Sequence, residues 1–194
     1  IYVNEDSVDV WANPEFFKLD SQRRPQYVAG VPPDYFSTTG QRWGNPVYDW
    51  DQLKKNQYDW WMKRLARQFE LFDVVRIDHF RGLEMYWEIP ASEATAVNGH
   101  WANGPKDEFF EILSQRLPGL PIIGEDLGII TDDVTRLMQR FQIPGMKVLQ
   151  FAFSGDMKVH PYIPENYVDN CVVYTGTHDN NTTRGWFGHD TSDE

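Results

Sequence analysis

Val74-Val75-Arg76-Ile77-Asp78-His79, Pro121-Ile122-Ile123-Gly124-Glu125-Asp126 and Val172-Val173-Tyr174-Thr175-Gly176-Thr177-His178-Asp179-Asn180 share one form: a short apolar run that ends in a carboxylate. A run of four or five apolar residues bounded by polar ones reads as a strand buried on both faces. Folds built from such strands gather their chemistry at the C-terminal strand ends, so three acids at three strand ends point to one site.

The sequence on either side of these runs reads as helix. Between residues 51 and 72 the apolar positions Leu53, Tyr58, Trp61, Leu65, Phe69 and Phe72 recur mostly at three and four residues, which predicts one helix feeding the strand at 74–78. A helix over 106–117, with Phe109, Ile112, Leu113 and Leu117 inward and Pro118-Gly119 as its stop, leads to the strand at 121–124. Thr131-Asp132-Asp133 supplies a polar N-cap and an acidic first turn to a helix carrying Val134, Leu137, Met138 and Phe141, and 146–153 reads as a strand. Helix and buried strand in alternation imply an α/β fold with parallel strands, and the right-handed crossover rule leaves a doubly wound sheet or a barrel. Two stretches break the pattern. Gly30, Pro32, Pro33, Gly40, Gly44 and Pro46 punctuate 28–48, with aromatic residues between them, so it reads as one long aromatic loop; 89–105 reads as another.

Composition narrows the function. With 194 residues, 41% of them hydrophobic and 15% aromatic, the chain can bury a sizeable core. A formal net charge of −11 argues against nucleic acid or an anionic membrane surface as partner, and no apolar stretch approaches the roughly 20 residues that span a bilayer. The single cysteine, Cys171, sits in an apolar run and is expected to be a small buried thiol, which together with the absence of a disulfide framework suggests a cytoplasmic protein. The chain opens on Ile1-Tyr2-Val3 without an initiator methionine and is read as a piece of a longer one.

Cleavage of a glycosidic bond with retention needs one carboxylate as nucleophile and another as acid and then base, about 5–5.5 Å apart. Arg76 lies two residues before Asp78 and shares its face on a strand, so its guanidinium would hold the aspartate ionised. Glu125, at an apolar strand end near other acids, is expected to hold a proton as a general acid must, and Asp179 beside His178 could grip sugar hydroxyls as charge develops on the ring. Other readings compete. An Asp at a strand end is often the N-cap of the next helix, which applies to Asp126 and Asp132. Asp78-His79, Glu125-Asp126 and His178-Asp179 also supply the oxygen and imidazole ligands of a metallohydrolase, and spacing alone does not separate the two chemistries. Trp60 and Trp61 in a helix read as core, whereas Trp43 in a Gly/Pro-rich segment reads as a platform for a ligand such as a sugar ring.

Val28-Ala29-Gly30-Val31-Pro32-Pro33-Asp34-Tyr35-Phe36-Ser37 with Gly40-Gln41-Arg42-Trp43-Gly44-Asn45-Pro46, then Val75-Arg76-Ile77-Asp78-His79-Phe80-Arg81-Gly82, Gly124-Glu125-Asp126-Leu127-Gly128, Pro144-Gly145-Met146-Lys147-Val148-Leu149-Gln150-Phe151-Ala152-Phe153 and Tyr174-Thr175-Gly176-Thr177-His178-Asp179-Asn180 resemble, in family order, the 4-α-glucanotransferases, or amylomaltases. The resemblance implies a (β/α)8 TIM-barrel of the α-amylase clan that transfers α-1,4-glucan segments between maltooligosaccharides with no cofactor or metal. It makes Asp78 the nucleophile, Glu125 the acid/base and Asp179 the transition-state stabiliser, with Arg76 and His178 in support and Tyr35, Gln41 and Trp43 touching the glucan. Asp156 is carried over as a further substrate contact, although the turn reads Ser154-Gly155-Asp156 where relatives commonly have an acidic pair.

On this likeness residues 1–194 form a single catalytic segment, an incomplete barrel running from about the third to the seventh strand, with 28–48 as an inserted substrate loop. A minimal barrel needs about 200–250 residues, so the segment alone is expected to turn over little. The alternatives are an α-amylase-type hydrolase of the same clan and a glucan-binding fragment without turnover.

Overall fold

A computed structural model describes residues 1–34, 37–153 and 160–191. The chain divides into two compact units, Ile1–Pro121 and Ile122–Glu194.

The first unit opens with a short helix α1 (Val8–Ala12), whose start is capped by the Ser7 hydroxyl accepting from the Val10 amide. Strands β1 (Tyr27–Val31) and β2 (Gln41–Pro46) then form an antiparallel pair, so about half of 28–48 is sheet and the loop expectation holds only between the two strands. The Gly and Pro residues that read as loop punctuation mark the turn, a register shift between Val28 and Gly30, and a place where two backbones meet: a Cβ on Gly30 would fall on the Gln41 carbonyl.

Helix α2 (Trp50–Lys55) is capped by Asp49, whose Oδ1 accepts from the Gln52 amide at 3.0 Å, and helix α3 (Asp59–Leu71) follows. The sequence predicts one helix here. The backbone breaks it, because Gln57 and Tyr58 both adopt φ of +55°, a left-handed pair that no α-helix continues through. Tyr58 pays for the break by burying its ring against Phe109 at 5.4 Å.

Strand β3 (Val75–Ile77) carries the first acid at its end, with Val74 still exposed outside it. Strands β4 (Met85–Pro90) and β5 (His100–Asn103) form a second antiparallel pair where 89–105 reads as loop, and the sheet order is β2-β1-β4-β5. Alternation along β4 buries Glu88, and the charge is met by Lys18 Nζ at 2.6 Å and His100 Nε2 at 2.9 Å. Helix α4 (Lys106–Arg116) closes the unit, burying Phe109, Phe110 and Leu113.

Phe109 is fully buried among Trp50, Tyr58, Trp61 and Phe110, with ring centroids 5.2–6.4 Å apart in this cluster. Trp61 belongs to this core, as its helix position predicts, and Trp60 packs half-buried on Phe17 and Tyr48. Phe109→Ala is expected to destabilise the protein by about 3–5 kcal/mol through lost transfer energy and a residual cavity. A urea midpoint unchanged from the parent would show that this cluster is not the centre of the unit's core.

The second unit contains β6 (Ile122–Gly124), α5 (Asp132–Arg140), β7 (Gly145–Val148), β8 (Cys171–Tyr174) and a short α6 (Thr183–Gly185). Val134, Leu137 and Met138 are the buried face of α5, and Asp132 and Asp133 occupy its first turn, as their spacing predicts. Thr131 stands at the N-cap without a side-chain cap bond, so Asp132 is the first helical residue and not the cap.

Strands β7 and β8 are parallel, in register from Gly145↔Cys171 to Val148↔Tyr174. The predicted strand over 146–153 stops at Val148. A 3-10 turn, Leu149–Phe153, replaces its second half and swings the buried Gln150 toward the end of β8. Strand β8 is half-buried, with Val173 exposed and Cys171 half-buried where a closed thiol is expected, because β7 is its one strand neighbour in the unit among the described residues. No helix among the described residues is long and apolar enough to cross a membrane.

Candidate active site

In the first unit, Arg76 and Asp78 lie on one face at the end of β3, as period-2 alternation requires, and Arg76 Nη2 meets Asp78 Oδ1 at 2.7 Å. The ion pair is two-thirds exposed on the aspartate side, where a ligand can reach it. Immediately after it His79 turns into the left-handed region, φ +50°, and starts the 3-10 turn Phe80–Leu83. This reversal presents the His79 ring to Trp43 of β2, perpendicular at 4.8 Å, with Tyr2 at 6.1 Å.

Gln41 and Trp43 stand two residues apart on β2 and touch, Trp43 Nε1 donating to Gln41 Oε1 at 3.1 Å. Strand β2 thus places two residues predicted to contact a ligand side by side, and His79 links them to the turn that carries Asp78. Burial pushes the His79 imidazole down to about 3, with Arg81 acting in the same direction and Asp78 opposing it. His79 is therefore neutral at neutral pH. The sequence shows a histidine next to the acid but not the left-handed backbone that aims it, so its place beside Trp43 is legible only in three dimensions.

In the second unit, Glu125 follows β6, half-buried, with Oε1 accepting from the Leu127 amide at 2.7 Å. Asp126 does not cap a helix. Its Oδ1 accepts from the Met146 amide at 2.6 Å, and the carboxylate occupies the space above Gly145, where any Cβ would collide with it. A bond from the Gly124 amide to the Pro144 carbonyl, 2.9 Å, holds the same junction, so the acid-bearing end of β6 is fastened to the start of β7.

His178 and Asp179 lie beyond β8 on an exposed loop, with His178 Nε2 and Asp179 Oδ2 at 3.5 Å. The loop is shaped by Asn180, whose Oδ1 accepts from both the amide and the hydroxyl of Thr177 at 2.9 Å, while Thr177 Oγ1 accepts from the Asp179 amide at 3.2 Å. Tyr35 and Asp156 fall outside the described residues. Among the described residues, no group of three His, Cys, Asp or Glu side chains is placed to share a metal ion within either unit.

Each unit thus carries strand-end carboxylates: Asp78 in the first, paired with a guanidinium and flanked by an aromatic wall, and Glu125 and Asp179 in the second. A retaining glycosidic mechanism requires a held anion, a second carboxyl group that can give and take a proton, and groups that grip a sugar.

Comparison with known proteins identifies the family. The chain is 56% identical over 189 residues to the 4-alpha-glucanotransferase of Thermus thermophilus, covering 96% of this chain and 38% of that protein. It is 55% identical over 197 residues to the 4-alpha-glucanotransferase of Synechocystis sp., covering 100% of this chain and 39% of that protein. Among solved structures it superposes with a TM-score of 0.94 on the amylomaltase from Streptococcus agalactiae in complex with acarbose, at 45% identity, covering 98% of this chain and 39% of the other. The chain spans well under half the length of each of these relatives. The family model described as 4-alpha-glucanotransferase matches residues 1–194, and on that match, together with the carboxylate-tipped strands and the paired Gln41 and Trp43, the chain belongs to the 4-alpha-glucanotransferase family.

Proposed function

We propose that the protein carrying this chain transfers α-1,4-glucan segments from one maltooligosaccharide to the 4-hydroxyl of another, with retention at the anomeric carbon. The observation that carries the reading is the Arg76–Asp78 ion pair beside the His79–Trp43 wall. A carboxylate held this way is suited to attack an electrophilic carbon, and the indole packed on the neighbouring His79 suits the C–H face of a sugar ring.

Asp78 is assigned as the nucleophile. Arg76 engages Oδ1, so Oδ2 is the oxygen assigned to attack the anomeric carbon. Glu125 protonates the leaving glycosidic oxygen and then takes the proton of the acceptor 4-hydroxyl as that oxygen attacks the glycosyl-aspartate, which returns the Asp78 carboxylate. Asp179, with His178, stabilises the developing oxocarbenium charge. Gln41 and Trp43 hold the glucan, and Tyr35 and Asp156 are assigned the same task by family likeness. The whole chain is read as one catalytic segment of a (β/α)8 barrel holding about its third to seventh strands, with 28–48 as its substrate-binding insertion. No cofactor enters any of these steps, and the partner is an α-1,4-glucan and not nucleic acid or membrane, consistent with the net charge of −11. The single cysteine favours a cytoplasmic setting.

The test is incubation of the full protein that carries this chain with maltotriose. Glucose together with maltooligosaccharides longer than three units is the expected product set, because transfer lengthens one chain as it shortens another. Glucose and maltose without longer products would indicate an α-amylase-type hydrolase instead.

A further inference from the structure

Gln150 is one of the few polar side chains that the described residues bury, with 8% of its surface exposed, and no step of the proposed mechanism uses it. It sits in the 3-10 turn after β7, and it holds both ends of the loop that carries His178 and Asp179. Its backbone amide donates to the Thr175 carbonyl at 3.2 Å, just before the loop, and its side-chain Nε2 donates to the Asn181 carbonyl at 3.1 Å, just after it.

Between these two bonds the amide plane lies flat on Gly176. A Cβ at that position would stand 2.9–3.0 Å from Oε1, Cδ and Nε2 of Gln150, closer than such contacts allow. The glycine is there for room and not for backbone freedom, since its φ is one that any residue adopts. Inside the clamp, the Asn180 and Thr177 bonds leave the loop one compact shape. A buried residue that closes one end of such a loop with its backbone N–H and the other with its side-chain amide converts local turn geometry into a fixed position for the loop's exposed side chains.

We propose that Gln150 is a positioning residue for Asp179, holding the Gly176–Asn181 loop so that the carboxylate meets the sugar ring in the geometry the transition state needs. Gln150 has this role only if Asp179 stabilises the transition state as proposed above. It touches no substrate; it acts through the loop.

In the full protein that carries this chain, Gln150→Ala is expected to lower kcat for maltotriose disproportionation by roughly 10²-fold, the effect of a misplacement of about 1 Å. KM should stay within about threefold, because the lost contact is made to the transition state and not to bound substrate. Gly176→Ala should lower kcat in the same way by pushing the amide off the Asn181 carbonyl. The double variant should lose no more than Gln150→Ala alone, since the methyl group then enters space the amide has left.

A residue that only supported the fold would lower the folded fraction and leave kcat per folded molecule unchanged. A Gln150→Ala kcat within about threefold of the parent, or losses that multiply in the double variant, would overturn the assignment. If Gln150→Ala does not fold, Gly176→Ala decides alone, and a parental kcat there overturns it. Asp179→Asn measured alongside separates the two ideas: lost turnover there with a normal Gln150→Ala removes only the positioning role, whereas normal turnover removes both.

Discussion

Asp78→Asn is expected to reduce disproportionation by the full protein on the order of 10⁴-fold or more, while its affinity for maltooligosaccharides changes by less than about threefold. Asparagine keeps the size and shape of the side chain, so the turn into His79 and the Trp43 contact should survive. What disappears is the anionic oxygen that forms the covalent intermediate. Arg76 Nη2, 2.7 Å from Oδ1 in the parent, can still donate to the amide oxygen of asparagine, which keeps the side chain in place without making it nucleophilic. On the proposed assignment affinity rests on Gln41 and Trp43, whose contacts would be made equally in ground and transition states. Calorimetric titration with a maltooligosaccharide and initial rates of glucose release from maltotriose separate the two quantities. Undiminished turnover would remove Asp78 from the nucleophile role, and loss of affinity in proportion to turnover would make it a binding residue.

Acidification is expected to cost this chain about 2–3 kcal/mol of stability between pH 7 and pH 4.5 through His79 alone. Burial, with a smaller push from Arg81, depresses the imidazole in the folded state to about 3 from an ordinary value of 6.5, with Asp78 pulling the other way. Below pH 6.5 the unfolded chain takes up a proton that the folded chain refuses, so the free energy of unfolding falls as the pH drops toward 3. Above pH 6.5 both states are neutral and the contribution is complete. Asp20 and Asp59, both depressed by hydrogen bonds and basic partners, lose stability in the same direction at lower pH, so the His79 share must be isolated by difference.

His79→Asn provides that difference, because asparagine tolerates the left-handed φ of +50° and does not titrate. Urea unfolding at pH 7 and pH 4.5 should show the variant losing about 2–3 kcal/mol less than the parent over this interval. Equal losses in parent and variant would mean that His79 is open to protonation in the folded chain.

Asp78 and Glu125 were legible in the sequence as strand-end acids because each follows directly on the apolar run that places it, whereas Asp179 lies five residues beyond the end of β8. Arg76 and Asp78 were legible as a pair because alternation along a strand is a property of covalent neighbours, and the 2.7 Å contact follows from it. On α4 the period found Phe109 and Leu113 but not the buried Phe110, and Ile112 and Leu117 are only half-buried; the buried face of α5 was legible for the same reason as the pair, a period written in the sequence. The hairpins were not. Gly and Pro between aromatics read as loop in 28–48 and 89–105, yet pairing across β1, β2, β4 and β5 made strands of the two ends of each stretch and left 91–99 as loop, since a partner strand supplies backbone bonds that local composition does not record. The helix break at Gln57 and Tyr58 was hidden as well, because burial of the Tyr58 ring against Phe109 outweighs the continuing helical period.

The sequence by itself determined the family, because the family depends on residue types in fixed order, and it supplied the three candidate carboxylates. Tertiary structure alone decided which side chains support them: Asp126 seated over Gly145, Gln150 pressed on Gly176, and His79 turned to Trp43. Each of these is a close approach between residues distant in the chain. Such an approach is set by the space one residue leaves and the polar atom another needs to satisfy, and neither quantity is written in the run of sequence around it.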